Sequence, residues 1–140
     1  MRRLDLRRLA PAAAILVAVS GWAPAPAADE PPQKQFSDAL AEAKVNLATD
    51  DGQSYDRALS QYLRQRNAAV LSGCFKANAQ PDVTPFDMVF RLAKDGSLLD
   101  VIAWPETNIS RCLGDGLKAE TFPAPPRDSY WAQLRMSFGR

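Results

Sequence analysis

Hydrophobic positions along this chain fall into two periods, and the switches between them mark the elements. Phe36, Leu40, Ala43 and Leu47 are spaced four, three and four apart, the stripe of an amphipathic helix. Ser37 is its expected cap, and Thr49-Asp50-Asp51-Gly52 its stop. A second helix is expected from near Ser54, an N-cap residue, with Asp56 in the first turn to complement the dipole. Leu59, Tyr62, Leu63, Val70 and Cys74 share a broad face, interrupted by Arg66. Arg57, Gln61, Arg64 and Asn67 point elsewhere, and the helix ends by about Asn78, ahead of Pro81.

After Pro85 the period drops to two. Phe86, Met88, Phe90 and Leu92 alternate with Asp87, Val89, Arg91 and Ala93. Asp95-Gly96 is a hairpin signal, with positive φ expected at both central positions. The return strand runs from Leu98 to Trp104, with Leu99, Val101 and Ala103 on one face and Asp100, Ile102 and Trp104 on the other. A third helix follows over about 108–118, where Ile109, Cys112, Leu113 and Leu117 share a face. Asn108-Ile109-Ser110 fits the glycosylation pattern but reads here as a helix cap. Phe122-Pro123-Ala124-Pro125-Pro126 is a stiff connector, and Tyr130, Ala132, Leu134, Met136 and Phe138 alternate through a last strand.

The expected fold class is therefore α+β: a two-layer, three-stranded antiparallel sheet covered on one face by helices and wet on the other. Its core order is α-β-β-α-β with an extra N-terminal helix. If the helical crossover spans one position, the last strand pairs with the first, giving order two-one-three with the last strand at an edge.

Composition changes the picture at the N-terminus. Arg2, Arg3, Arg7 and Arg8 precede an apolar run from Leu9 to Trp22, and Ala25-Pro26-Ala27 is a small-x-small cleavage site. A spanning helix needs about 20 apolar residues, and Pro11, Gly21, Pro24 and Pro26 interrupt this run. Residues 1–28 thus read as a cleavable export signal, 29–35 as a disordered lead, 36–52 as the N-terminal helix and 53–140 as the main domain. The 17 basic and 16 acidic residues of the chain become 13 and 15 after cleavage. A mildly acidic domain lacks the clustered basic face that nucleic acid requires, and no membrane span remains.

Export also sets the thiol chemistry. Cys74 and Cys112 are the two cysteines of an exported chain, so a disulfide between them is expected. It would close a loop of about 40 residues, contributing about 4 kcal/mol in the chain-entropy model. The rival is a pair of unpaired thiols. No histidine is present, which removes Ser-His and Cys-His catalysis and His-ligated metals. The carboxylate groupings are Asp50-Asp51, Asp56 and the pair Asp82/Asp87. Asp50-Asp51-Gly52 lacks the alternating spacing of a calcium loop, and all of these acids sit at turn and cap positions. No catalytic residue, cofactor or metal is expected.

Residues 62–138 resemble the TonB C-terminal domain family, in its cysteine-containing periplasmic branch. The resemblance rests on an ordered set: the helix ending in Cys74-Phe75, the strand Phe86–Leu92, Asp95-Gly96-Ser97-Leu98 leading into Leu99–Ile102, the helix with Cys112-Leu113, and Phe122-Pro123-Ala124-Pro125 before the last strand. It implies the α-β-β-α-β fold and a binding mode in which a partner segment pairs with the sheet edge. Energy-transducing members carry an uncleaved anchor with a functional histidine and a long proline-rich spacer, whereas this chain has no histidine and no such spacer.

The expected function is that of a periplasmic binding or adaptor domain without an energy-transducing anchor. Its partner is a segment of a periplasmic or outer-membrane protein. The expected surface is the last strand and the wet face, with Trp131, Gln133 and Arg135 in solvent and Trp104 beside them. Packing of both tryptophans, half-buried under the first helix or as cross-strand partners, is the competing reading. Two further alternatives are a structural domain that homodimerises through its edge and a carboxylate-dependent hydrolase using Asp82 and Asp87.

Overall fold

The computed structural model describes residues 32–139. The expected signal, 1–28, and the start of the lead lie outside the described residues. The elements are α1 (Pro32–Leu47), α2 (Asp50–Ala77), β1 (Phe86–Leu92), β2 (Leu98–Trp104), α3 (Asn108–Leu117) and β3 (Tyr130–Met136). The strands form one antiparallel sheet in the order β2-β1-β3, the α+β architecture the periodicity predicts. No helix among the described residues is long and apolar enough to cross a membrane.

Register sorts the side chains into two faces. Met88 pairs with Ala103 and Leu134, and Phe90 with Val101 and Ala132. This face meets Leu59 and Leu63 of α2 and Ile109, Leu113 and Leu117 of α3 in the main core. The other face carries Asp87, Val89 and Arg91, opposite Trp104, Ile102 and Asp100 on one side and Arg135, Gln133 and Trp131 on the other.

That second face is not wet, as the sequence led us to expect. α1 lies across it, and Phe36, Ala39 and Val89 are buried there with Leu40, Ile102 and Trp131 packed around them. The buried stripe of α1 is Phe36, Ala39, Ala43 and Asn46, rotated from the expected Phe36–Leu40–Ala43–Leu47 line. Small residues at 39 and 43 bring the helix close to the sheet. The sheet is thus enclosed by α2 and α3 on one side and α1 on the other, so α1 is a packing helix of the body.

A tight turn between α1 and α2 makes this wrapping possible. Pro32–Gln35, expected in the lead, form the first turn of α1, and Ser37 donates back to the Gln33 carbonyl (2.9 Å) instead of capping. α2 starts at Asp50 rather than near Ser54. Thr49 is its N-cap, accepting from the Gly52 amide (3.0 Å) while donating to the Asn46 carbonyl (2.8 Å). A Cβ on Gly52 would lie 1.9 Å from that same carbonyl oxygen. Only glycine permits the approach. The Asn46 amide then donates to the Trp131 carbonyl at 2.8 Å, and Arg127 donates to its Oδ1. Farther along α2, Asn67 is buried, with Oδ1 unpartnered, contrary to its expected outward placement.

The hairpin between β1 and β2 also departs from expectation. The Gly96 amide donates to the Ala93 carbonyl and the Ala93 amide to the Ser97 carbonyl, both at 2.9 Å. Of the loop residues Lys94–Gly96, only Gly96 has positive φ, 86°, as in a three-residue loop with a bulge. Its carbonyl accepts the Phe122 amide, tying the connector to the turn. Phe122 stacks on Phe90 at 5.6 Å, and Tyr55 donates to the Pro123 carbonyl at 2.9 Å. Burial pushes the Tyr55 phenol well above its ordinary range. A second irregularity follows in β2: Arg91 pairs with Asp100 but Leu92 with Leu98, so Leu99 is an inserted bulge residue. Leu98 packs against the core and Leu99 is displaced into solvent, correcting its expected place beside Val101.

α3 is capped by Thr107, not Asn108. Thr107 and Ser110 form a reciprocal capping box, while the Asn108 side chain holds the Gln80 carbonyl and the Asp82 amide of the segment leading into β1. The Cys74–Cys112 disulfide joins α2 to α3 across a sequence separation of 38, as expected.

Two outcomes follow. Replacing both cysteines by alanine should lower unfolding stability by about 4 kcal/mol, the loop-closure value, read from denaturant midpoints; a loss under about 1 kcal/mol would show that the staple is idle. Gly52→Ala should cost at least about 2 kcal/mol by overpacking, whereas Gly73→Ala, which meets nothing within 4 Å, should stabilise α2 by a few tenths of a kcal/mol up to about 1 kcal/mol. Equal effects in thermal melts would refute the role of the Asn46 approach.

Candidate functional site

β1 is central, so β2 and β3 each have an outer edge. Antiparallel pairing alternates residues whose backbone groups point to the neighbour with residues whose groups point away. Two side-chain bonds fix the parity. The Trp131 carbonyl is taken by Asn46 and the Val101 amide by the Asp100 carboxylate (2.9 Å), so both groups face outward. Because Arg91 pairs with Trp131 and Phe90 with Val101, the two assignments agree.

The two edges differ in what covers them. The first half of β3 lies inside the α1–α2 hairpin, where Ala43, Leu47, Gly52 and Tyr55 close against Tyr130 and Trp131 around a hollow of about 10 Å³. That is space for about one water. β2 has no strand on its other side among the described residues. Two hollows run along it instead. One, of about 400 Å³, lies beside Leu98–Val101 and Lys118. The other, of about 140 Å³, is bounded by Val101, Ala103, Ser110 and Gly114. Leu99 is 51% exposed and Trp104 38%, placing apolar surface at both ends of this edge.

The residues expected to form an interface separate. Trp131 is half-buried beneath α1 with Phe36 and Leu40, and the Arg91 guanidinium lies 5.6 Å from its ring centroid. It does not project to solvent, because α1 occupies that face. Gln133 is half-buried and lines a hollow of about 320 Å³ with Leu40, Lys44, Asp87 and Arg135. Arg135 is exposed and forks onto Asp87 through Nε (2.8 Å) and a terminal nitrogen (3.0 Å). Trp104 and Arg135 flank Asp87 in one cross-strand row. The structure therefore brings Gln133 and Arg135 together, leaves Trp104 at the end of β2 and assigns Trp131 to packing.

Leu99, Asp100 and Val101 were not singled out from the sequence. The adjacent Leu98-Leu99 pair was the available signal, since two neighbouring apolar residues break strict alternation where a bulge can form.

The acids have local structural partners. Asp82 accepts the Thr84 amide at 2.9 Å, and hydrogen bonding to Thr84 holds its carboxyl below the usual aspartate range. Asp87 is engaged by Arg135, and Asp50 and Asp51 occupy the first turn of α2. Among the described residues, no group of three or more Asp, Glu, Cys or His side chains could hold a metal ion. Compared with known proteins, the chain matches no family model, no curated protein and no solved structure.

Packing and exposure make separable predictions for the tryptophans. Trp131→Ala should destabilise the fold by about 2–3 kcal/mol, somewhat below the range for fully buried aromatics. Trp104→Ala should stay within about 0.5 kcal/mol. Chemical denaturation of both variants tests this; an equally large loss at Trp104 would place it in the core.

Proposed function

We propose that this chain is an exported periplasmic protein-binding domain that receives an extended segment of a partner protein as a fourth strand along β2. The carrying observation is the β2 edge: an outward Val101 amide bonded only within its own strand, and exposed Leu99 and Trp104 at the two ends. Added strands gain affinity from backbone hydrogen bonds and specificity from alternate side-chain pockets, and the hollows beside β2 offer such pockets. The signal-like residues 1–28 and the disulfide support export to an oxidising compartment. The resemblance of residues 62–138 to TonB C-terminal domains supports the same binding mode. In this chain the hairpin around β3 favours β2 as the receiving edge. The reading involves no catalytic step, cofactor or metal. Pairing with a second copy uses the same edge and is the alternative occupant.

A photo-crosslinking amino acid at Leu99, used in intact cells, tests the proposal. We expect a crosslink to a short extended segment of another exported protein. Val101→Pro should abolish it without unfolding the domain, because that amide contributes no bond to the ladder. An adduct undiminished by Val101→Pro, or no adduct, would refute edge pairing. Crosslinks running between copies, with a dimer in sedimentation, would replace the partner with a second copy.

A further inference from the structure

We infer that Asp100 and Arg91 form a latch on the β2 edge, an inference that rests on the edge-binding reading above. In the structure the Asp100 carboxylate accepts the Val101 amide through Oδ1 at 2.9 Å. This amide is the outward donor in the middle of β2, the group an added strand needs first. The carboxylate therefore occupies the position of an incoming carbonyl oxygen. A side chain that blocks an edge in this way protects a sheet against indiscriminate pairing.

The same carboxylate has a second seat within reach. Arg91 is the cross-strand partner of Asp100, on the same face of the sheet. One terminal nitrogen of Arg91 stands 3.9 Å from Asp100 Oδ2, too far for a hydrogen bond. Arg91 Nε is buried and has no hydrogen-bond partner. The guanidinium itself is held in place over the Trp131 ring. A buried donor without a partner carries a desolvation cost, and a carboxylate meets a guanidinium best through two parallel bonds. Rotation of Asp100 away from its own strand and onto the Arg91 fork would satisfy Nε and release Val101 in one movement.

Two arrangements of one side chain follow. With Asp100 on Val101, the central outward donor of β2 is taken and Arg91 Nε is unpaired. With Asp100 on Arg91, the edge is open and the guanidinium is satisfied. An arriving strand replaces the carboxylate at Val101 with its own carbonyl, so its binding selects the second arrangement. The bulge at Leu99 immediately before Asp100 interrupts the regular ladder beside the latch.

The test uses the whole exported chain and, as probe, a blocked heptapeptide of alternating threonine and valine, with binding followed at the Val101 amide by NMR. Asp100→Ala should bind the probe about tenfold more tightly than wild type, because nothing then competes for the donor. Its Val101 amide should also exchange with solvent faster. Arg91→Ala should bind about tenfold more weakly than wild type, since the displaced carboxylate has lost its second seat. The double variant should match Asp100→Ala alone, because Arg91 acts only through Asp100; a merely structural Arg91 would weaken both backgrounds equally. Equal binding by wild type and all three variants, or equal weakening by Arg91→Ala in both backgrounds, would overturn the latch and leave the edge reading standing. No binding by any of the four, with the Val101 resonance unmoved, would remove both.

Discussion

The approach of Gly52 to the Asn46 carbonyl is the constraint from which the layout of the molecule follows. Space at Gly52 allows α1 to turn back within two residues of α2. The two helices then embrace the sheet from opposite sides, with the turn itself at the β3 edge. Asn46 serves all three parts, closing the helix turn through its carbonyl and joining β3 and Arg127 through its side chain. A looser turn would leave Phe36, Val89 and Trp131 in water and would expose the first half of the β3 edge, which the hairpin encloses.

The opposite end of the sheet is secured by different means. α3 must carry the chain from β2 past β1 to β3, and its short length leaves little helix of its own to stabilise. The capping box fixes its start, the disulfide joins its middle to α2, and Leu113 and Leu117 bury its face in the main core. The connector after it is held by the Gly96 turn, by Lys94 donating to the Pro125 and Pro126 carbonyls, and by Tyr55. A body of this size buries a limited fraction of its surface, which explains why covalent and polar ties recur wherever regular packing stops.

Much of the fold was legible because its signals are local. Apolar residues alternate along Phe86–Leu92 and Tyr130–Met136, and a crossover spanning one position gives the observed strand order. The face taken by α1 was not legible, since periodicity reveals that a helix has an apolar stripe but not what the stripe covers. Gly52 misled for a related reason: after a helix, glycine usually marks a stop, but here it is the third residue of the next helix and serves a long-reaching contact. Leu99 was assigned to the wrong side because a one-residue bulge flips every position beyond it. Of the expected interface residues, Trp104 and Arg135 are exposed and Gln133 is half-buried, while Trp131 packs under α1, the competing reading for the tryptophans.

The asymmetry of the two sheet edges bears directly on the proposed function. A three-stranded sheet exposes two rows of unpaired backbone groups, and each row is a hazard unless managed. At the first half of β3 the cover is the α1–α2 turn, and displacing it would expose the contacts of Phe36, Ala39 and Val89 as well. At β2 one carboxylate, Asp100, takes one outward donor, the Val101 amide, beside the Leu99 bulge. Under the proposed function, such a bond would oppose weak, nonspecific pairing while remaining small beside the several backbone bonds of a matched strand. The two edges of the sheet thus differ in cover: α1 and its turn close over the start of β3, whereas β2 carries only the local Asp100 bond, and it is this difference that the proposed function rests on.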